Sequence, residues 1–157
     1  MTILPRLLDH FAWADAEAVR AIATLPADAD ERAQAVRLYA HLAAATHIWL
    51  ARLSGRTPEH PVWPTLSLDA AIALSAESVE GLRAFVNGDA DALETEIEYA
   101  TSTGQRFANT VGDVLAHVML HGTYHRGQLA VLTRQGGGTP AATDLIVYAR
   151  TVSPRAR

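Results

Sequence analysis

The segment HVMLHGTYHRGQ, residues 117–128, sets His117, His121 and His125 at four-residue intervals. In an α-helix each residue advances about 100°, so imidazoles four apart lie over one another, offset by roughly 40°. Two such side chains can chelate a single divalent ion, and neutral imidazole suits zinc, nickel, copper or iron. Measured from His121, the residues Val114, Val118, His125, Leu129 and Leu132 fall within about 80°, whereas Thr123 and Arg126 point elsewhere. The histidines therefore share the apolar stripe, where an imidazole without a partner costs on the order of 1–3 kcal/mol. A metal ion meets that requirement, and so does a packed helix face whose histidines bond to backbone or water. No glutamate follows His121, so the helix lacks the general base of a zinc protease.

Two ligands seldom make a stable site, so a third must come from another helix. The segment ERAQAVRLYAHLAAATHIWLARL offers His41 and His47. Its apolar face runs through Leu38, Leu42, Ala45, Trp49 and Leu53; His41 lies at the edge of this face and His47 about 160° from its centre. His41 is thus the better third ligand, and His47 reads as a solvated surface histidine. His60, in a proline-rich loop, takes the same reading, while His10 suits a polar bond to a neighbour. His117 reads as a packed residue or one bonded to a ligand histidine, leaving a coordination position open for water or substrate. Gln128 lies on the histidine side and could bond a ligand or a metal-bound water. Tyr124 is expected in interhelical packing, and Arg126 in an ion pair with Asp144 or another tail carboxylate.

The elements that must position these groups are mostly helical. Residues 5–25, 31–53, 67–89 and 110–137 carry three- and four-residue apolar spacing, with caps or stops at Pro5, Pro26, Ser54-Gly55, Ser67 or Asp69, Asn87-Gly88, Thr110 and Gly136 to Gly138. Between Glu94 and Thr110 the period shortens to alternation around a Ser-Thr-Gly turn, which predicts a short hairpin. The tail TPAATDLIVYARTVSPRAR should pack through its apolar first part and fray at its end. The reading is all-α: one four-helix-bundle domain over 1–157 with a short β-hairpin before the last long helix.

The chain has 157 residues, a formal net charge of -4 and no cysteine. Histidine and carboxylate are therefore the available metal ligands, and thiolate chemistry from the chain is excluded. The basic residues are scattered and not gathered into a stripe, which argues against nucleic-acid binding. No apolar run reaches the roughly 20 residues of a membrane span, and acidic residues interrupt the N-terminal segment, so the expectation is a soluble cytoplasmic protein.

The stretches HVMLHGTYHRGQLAVLTRQGG, AHLAAATHIWLARLSG and LLDHFAWADAEAV resemble the DinB family of DinB/YfiT-like metal-binding helical bundles, and the likeness extends to STGQRFANTVGDVLAH and TDLIVYAR. That resemblance implies a four-helix bundle, commonly a homodimer, with a divalent transition metal, zinc or nickel foremost, held by one histidine of the second helix and the two of HxxxH in the last. Carried onto this chain these are His41, eight residues before Trp49, with His121 and His125. Thr46 stands where the family often has an acidic residue, and His47 occupies a usually nonligating position. Relatives in the wider superfamily include thiol-dependent S-transferases and isomerases using low-molecular-weight thiols. The implied functions are a metal-dependent enzyme, S-transferase or hydrolase, acting on an unknown small molecule with a thiol cosubstrate, or a noncatalytic metal-binding stress-related or interaction protein.

Overall fold

The computed structural model describes residues 3–101 and 103–153. Its elements are α1 (Leu4–Ala23), α2 (Asp30–Leu53), α3 (Leu68–Val86), α4 (Ala90–Glu94), β1 (Glu96–Ala100), β2 (Arg106–Thr110), α5 (Val111–Gln135) and α6 (Leu145–Thr151). The protein is mostly helical with one small antiparallel hairpin, as the periodicity predicts.

Local chemistry sets the ends. Ser67 accepts from the Ala70 amide to open α3, and Thr110 accepts from the Asp113 amide to open α5. Gly55 and Gly137, with φ of 65° and 80°, take the left-handed conformation just past α2 and α5. The hairpin pairs Glu96 with Thr110 and Tyr99 with Phe107. Gly104 serves its turn, whose Ser102 lies outside the described residues. A lone two-stranded hairpin is marginal in water; this one is anchored where Tyr99 meets Trp49 of α2 edge-on at 5.1 Å.

The long helices pack α1 on α3, α3 on α2, α2 on α5 and α5 on α1, closing a ring around one core. Leu8, Phe11 and Ile22 of α1, Leu42 of α2, Leu82 of α3, and Leu115 and Leu129 of α5 are buried to within 2% or less of full occlusion. Each such side chain contributes about 1.5–3 kcal/mol of transfer free energy. At Gly122 the α1–α5 approach is so close that a Cβ would stand 2.3 Å from Cε2 of Phe11. The tail returns as expected: Tyr148 of α6 is buried against Trp13 and His10, with ring centroids at 5.5 and 5.8 Å. The expected fraying of the last residues concerns 154–157, which lie outside the described residues.

Two sequence expectations are corrected by this packing. His47 is not a solvated surface residue: it is buried, with its ring 5.4 Å from that of His60, itself half-buried. The reason is that α2 touches α5, α3, α1 and the hairpin, so it has no single apolar face and most of its circumference from Tyr39 to Leu53 is enclosed. Arg126 pairs with Asp15 of α1 at 2.8 Å, not with Asp144, because α5 likewise packs on two helices and its second buried side faces α1.

Candidate metal centre

His41 projects from the middle of α2, and His121 and His125 from successive turns of α5, which packs alongside. Nε2 of His125 lies 3.0 Å from Nε2 of His121 and 3.3 Å from Nε2 of His41. One nitrogen from each ring lies within 4.8 Å of the others. His41 and His125 are buried, and His121 is partly open to solvent.

The outward nitrogens are occupied. Nδ1–H of His41 donates to the carbonyl oxygen of Val62 at 2.7 Å, and Nδ1–H of His125 donates to Oε1 of Gln128 at 2.7 Å. A neutral imidazole carries one N–H, so both Nε2 atoms then present lone pairs. Two bare acceptors therefore face each other at 3.3 Å with no proton between them. A cation relieves that arrangement. Nitrogens bound at about 2.0–2.1 Å to one tetrahedral ion stand roughly 3.3 Å apart, so the observed spacing fits a shared ion.

Electrostatics act in the same direction. Burial, followed by the neighbouring histidines His125, His117 and His41, pushes the His121 imidazole down to about 4. Burial also lowers His41, with the Val62 carbonyl opposing it. Near neutral pH both are unprotonated, the form in which imidazole can act as a ligand.

The loop after α2 closes one side of the cluster. Having given its carbonyl to His41 at Val62, it lays the Trp63 ring on the His41 ring, with centroids 3.9 Å apart and planes 13° from parallel. Across the cluster, His117 sits edge-on to Trp49 at 5.2 Å and its ring is 5.4 Å from that of His121. It thus lies beside the three converging nitrogens; partial burial and then Arg52 lower its pKa.

The structure brings together His41, His121 and His125, and leaves His10, His47 and His60 elsewhere. His10 donates from Nε2 to the Thr143 carbonyl oxygen at 2.8 Å, the polar bond expected of it. Tyr124 is 66% exposed, so the expected packing role fails; it stands at the rim with its ring 5.1 Å from that of His125. Gln128 bonds a histidine of the cluster directly. The supports at Val62 and Trp63 escaped sequence reasoning, although a tryptophan flanked by prolines in PVWP is a signal of a rigid loop with something to cover.

Behind the cluster, Arg126 and Asp15 form a buried ion pair. Ser75 donates to the second Asp15 oxygen at 3.2 Å, Arg126 reaches Thr123 at 3.1 Å, and the guanidinium carbon lies 5.1 Å from the Phe11 ring centroid. Burial pushes the Asp15 carboxyl up, with Arg126 and Ser75 opposing.

The fold and site define a helical protein with a three-imidazole donor set shared between two packed helices. The sequence model of the DinB family matches residues 1–156, and the chain belongs to that family. Protein DinB of Bacillus subtilis (strain 168) is 49% identical over 39 residues, which are 25% of this chain and 23% of that protein. The matched part therefore spans about a quarter of the relative's length. No solved structure matches the chain. Among the described residues no helix is long and apolar enough to cross a membrane.

Proposed function

We propose that the chain is a divalent-metal-binding DinB protein whose His41, His121 and His125 hold a transition metal, zinc or nickel foremost, and that it works as a metal-dependent S-transferase or hydrolase. The observation that carries this reading is the convergence of three Nε2 atoms while the Nδ1–H groups of His41 and His125 are committed outward. In the same reading, residues 1–157 form one four-helix-bundle domain, the chain acts in the cytoplasm, and a homodimer is the working form.

The ion, when bound, supplies Lewis acidity that lowers the pKa of a thiol or water. The chain's own residues prepare the site. Val62 and Gln128 fix which nitrogen of each histidine faces inward, and Trp63 shields the His41 side from water. The partly open His121 leaves the centre accessible to a low-molecular-weight thiol and to the reacting end of an unknown small-molecule substrate. With three protein ligands a position stays free, the pattern of catalytic zinc, whereas structural sites usually close with four. That contrast separates the enzyme from the alternative, a noncatalytic metal-binding stress-related or interaction protein.

Elemental analysis of natively purified protein should find about one ion per chain, the stoichiometry of a single three-ligand site. His41→Ala, His121→Ala and His125→Ala should each reduce it sharply; unchanged occupancy in all three sinks the proposed site. X-ray absorption of the loaded protein should then find three imidazoles and an exchangeable oxygen, and a fourth protein ligand would favour the noncatalytic alternative.

A further inference from the structure

Beside the histidine cluster, on the outer side of Trp63, two open cavities of about 340 and 300 Å³ share Trp63 and Arg37. The first lies in the α2–α5 groove, with Leu38 and Leu132 as apolar floor, Trp63 as wall, and Gln34 and Arg37 at the rim. Its volume is that of a small-ligand pocket. Leu38 is three residues before His41 and Leu132 seven after His125, so the groove ends one to two helical turns from the converging nitrogens.

Two features of this groove bear on what it could hold. Trp63 remains 52% exposed although its inner face is stacked on His41. Arg37 stands over the same indole at 5.8 Å, and among the described residues no carboxylate pairs with it, in a chain whose net charge is -4. A guanidinium held beside an aromatic wall and above an aliphatic floor presents two matched halves: a fork for an anion and a slot for a flat apolar body.

We infer that the Arg37–Trp63 groove is the substrate-recognition site of the histidine centre and that it takes an amphipathic small molecule bearing a carboxylate, anchored by Arg37 and packed between Trp63 and Leu38/Leu132. The inference names the substrate class for the proposed function and rests on that reading only for its link to metal chemistry. Binding itself requires no metal, since the anchor is a side chain outside the histidine cluster. Arg37 and Trp63 are specificity-determining residues here, with no role assigned in the chemical step.

The test measures binding of 2-naphthoate and of its uncharged counterpart 2-naphthamide to the full chain, as purified and after chelator treatment, by calorimetry. The carboxylate should bind roughly two- to fivefold tighter than the amide in both preparations, the discrimination expected of an ion pair at an exposed guanidinium. Arg37→Gln should abolish that preference while leaving the amide's affinity intact, Arg37→Lys should restore part of it, and Trp63→Ala should weaken both probes. Equal affinity for the two probes, or a preference that survives Arg37→Gln, overturns the inference. A preference that disappears on chelation also overturns it, because the carboxylate would then be binding the metal. Absence of metal from the purified protein with the Arg37-dependent preference intact would refute the proposed metal site alone.

Discussion

Oε1 of Gln128 accepts the Nδ1–H of His125 at 2.7 Å, one helical turn along α5. This bond fixes both the ring orientation and the proton location of a histidine whose other nitrogen faces the cluster. Groups that hold a ligand histidine in this way typically matter 10–100-fold for metal affinity.

Gln128→Leu keeps the side chain's bulk and removes the acceptor. Metal affinity, read by competition with a chromophoric chelator, should fall roughly 10–100-fold, while Gln128→Glu, which keeps an acceptor, should stay near the parent value. Equal affinities for the parent and Gln128→Leu would show that His125 is oriented by packing alone.

The Asp15–Arg126 pair should behave as a buried unit. Asp15→Leu leaves a guanidinium without its counter-charge in the α1–α5 interface and should cost about 3–5 kcal/mol in denaturant unfolding. The double variant Asp15→Leu/Arg126→Met should recover much of that loss, since no unpaired charge remains. A double variant as unstable as the single one would mean that Arg126 acts mainly through its contacts with Phe11 and Thr123.

Gly122→Ala tests the close approach of α1 to α5. The added methyl meets the Phe11 ring edge at 2.3 Å and Nη1 of Arg126 at 2.9 Å, so the helices must part or Phe11 must leave its rotamer. Overpacking of this kind costs about 1–3 kcal/mol, visible as a lowered Tm. An unchanged or raised Tm, from alanine's better helix propensity, would show the interface to be compliant.

Acid should destabilise the metal-free protein through its buried histidines. Burial lowers the pKa of His10, His41, His47, His117 and His121. The unfolded chain therefore binds these protons more readily. Stability is complete above about pH 6.5 and is lost as pH falls towards the folded values, about 4 for His121. Urea midpoints of chelated protein should drop between pH 7 and pH 5, with His121 alone accounting for on the order of 1 kcal/mol. His121→Gln should flatten that slope; an identical slope in the variant would place the proton uptake elsewhere.

Much of this arrangement is legible in the residue string because it depends on local period and local chemistry. The long helices, the hairpin and the Thr110 cap follow from spacing and from groups within a few residues of one another. The HxxxH pair is of the same kind, and His41 was reachable from its place at the edge of an apolar stripe. The arithmetic assumes one buried face per helix, and it fails where a helix has several neighbours. His47 is enclosed for that reason, and Arg126 finds Asp15, 111 residues away, on a side of α5 that a single-face reading assigns to solvent. The Val62 carbonyl escapes for a different reason: a backbone oxygen has the same chemistry at every position, so only the path of the loop distinguishes it.

That loop has a consequence for how the centre is assembled. A segment that contributes no imidazole to the cluster nevertheless selects the protonation isomer of His41, through one main-chain oxygen and beside one stacked indole. Lengthening or shortening the connection anywhere between Gly55 and Pro61 would pull Val62 away, free the ring to turn over, and exchange its donor nitrogen for its acceptor. The quality of the donor set is thus written partly in the length of a surface connection, and chain-length variation there would change the candidate metal centre without touching any of its three histidines.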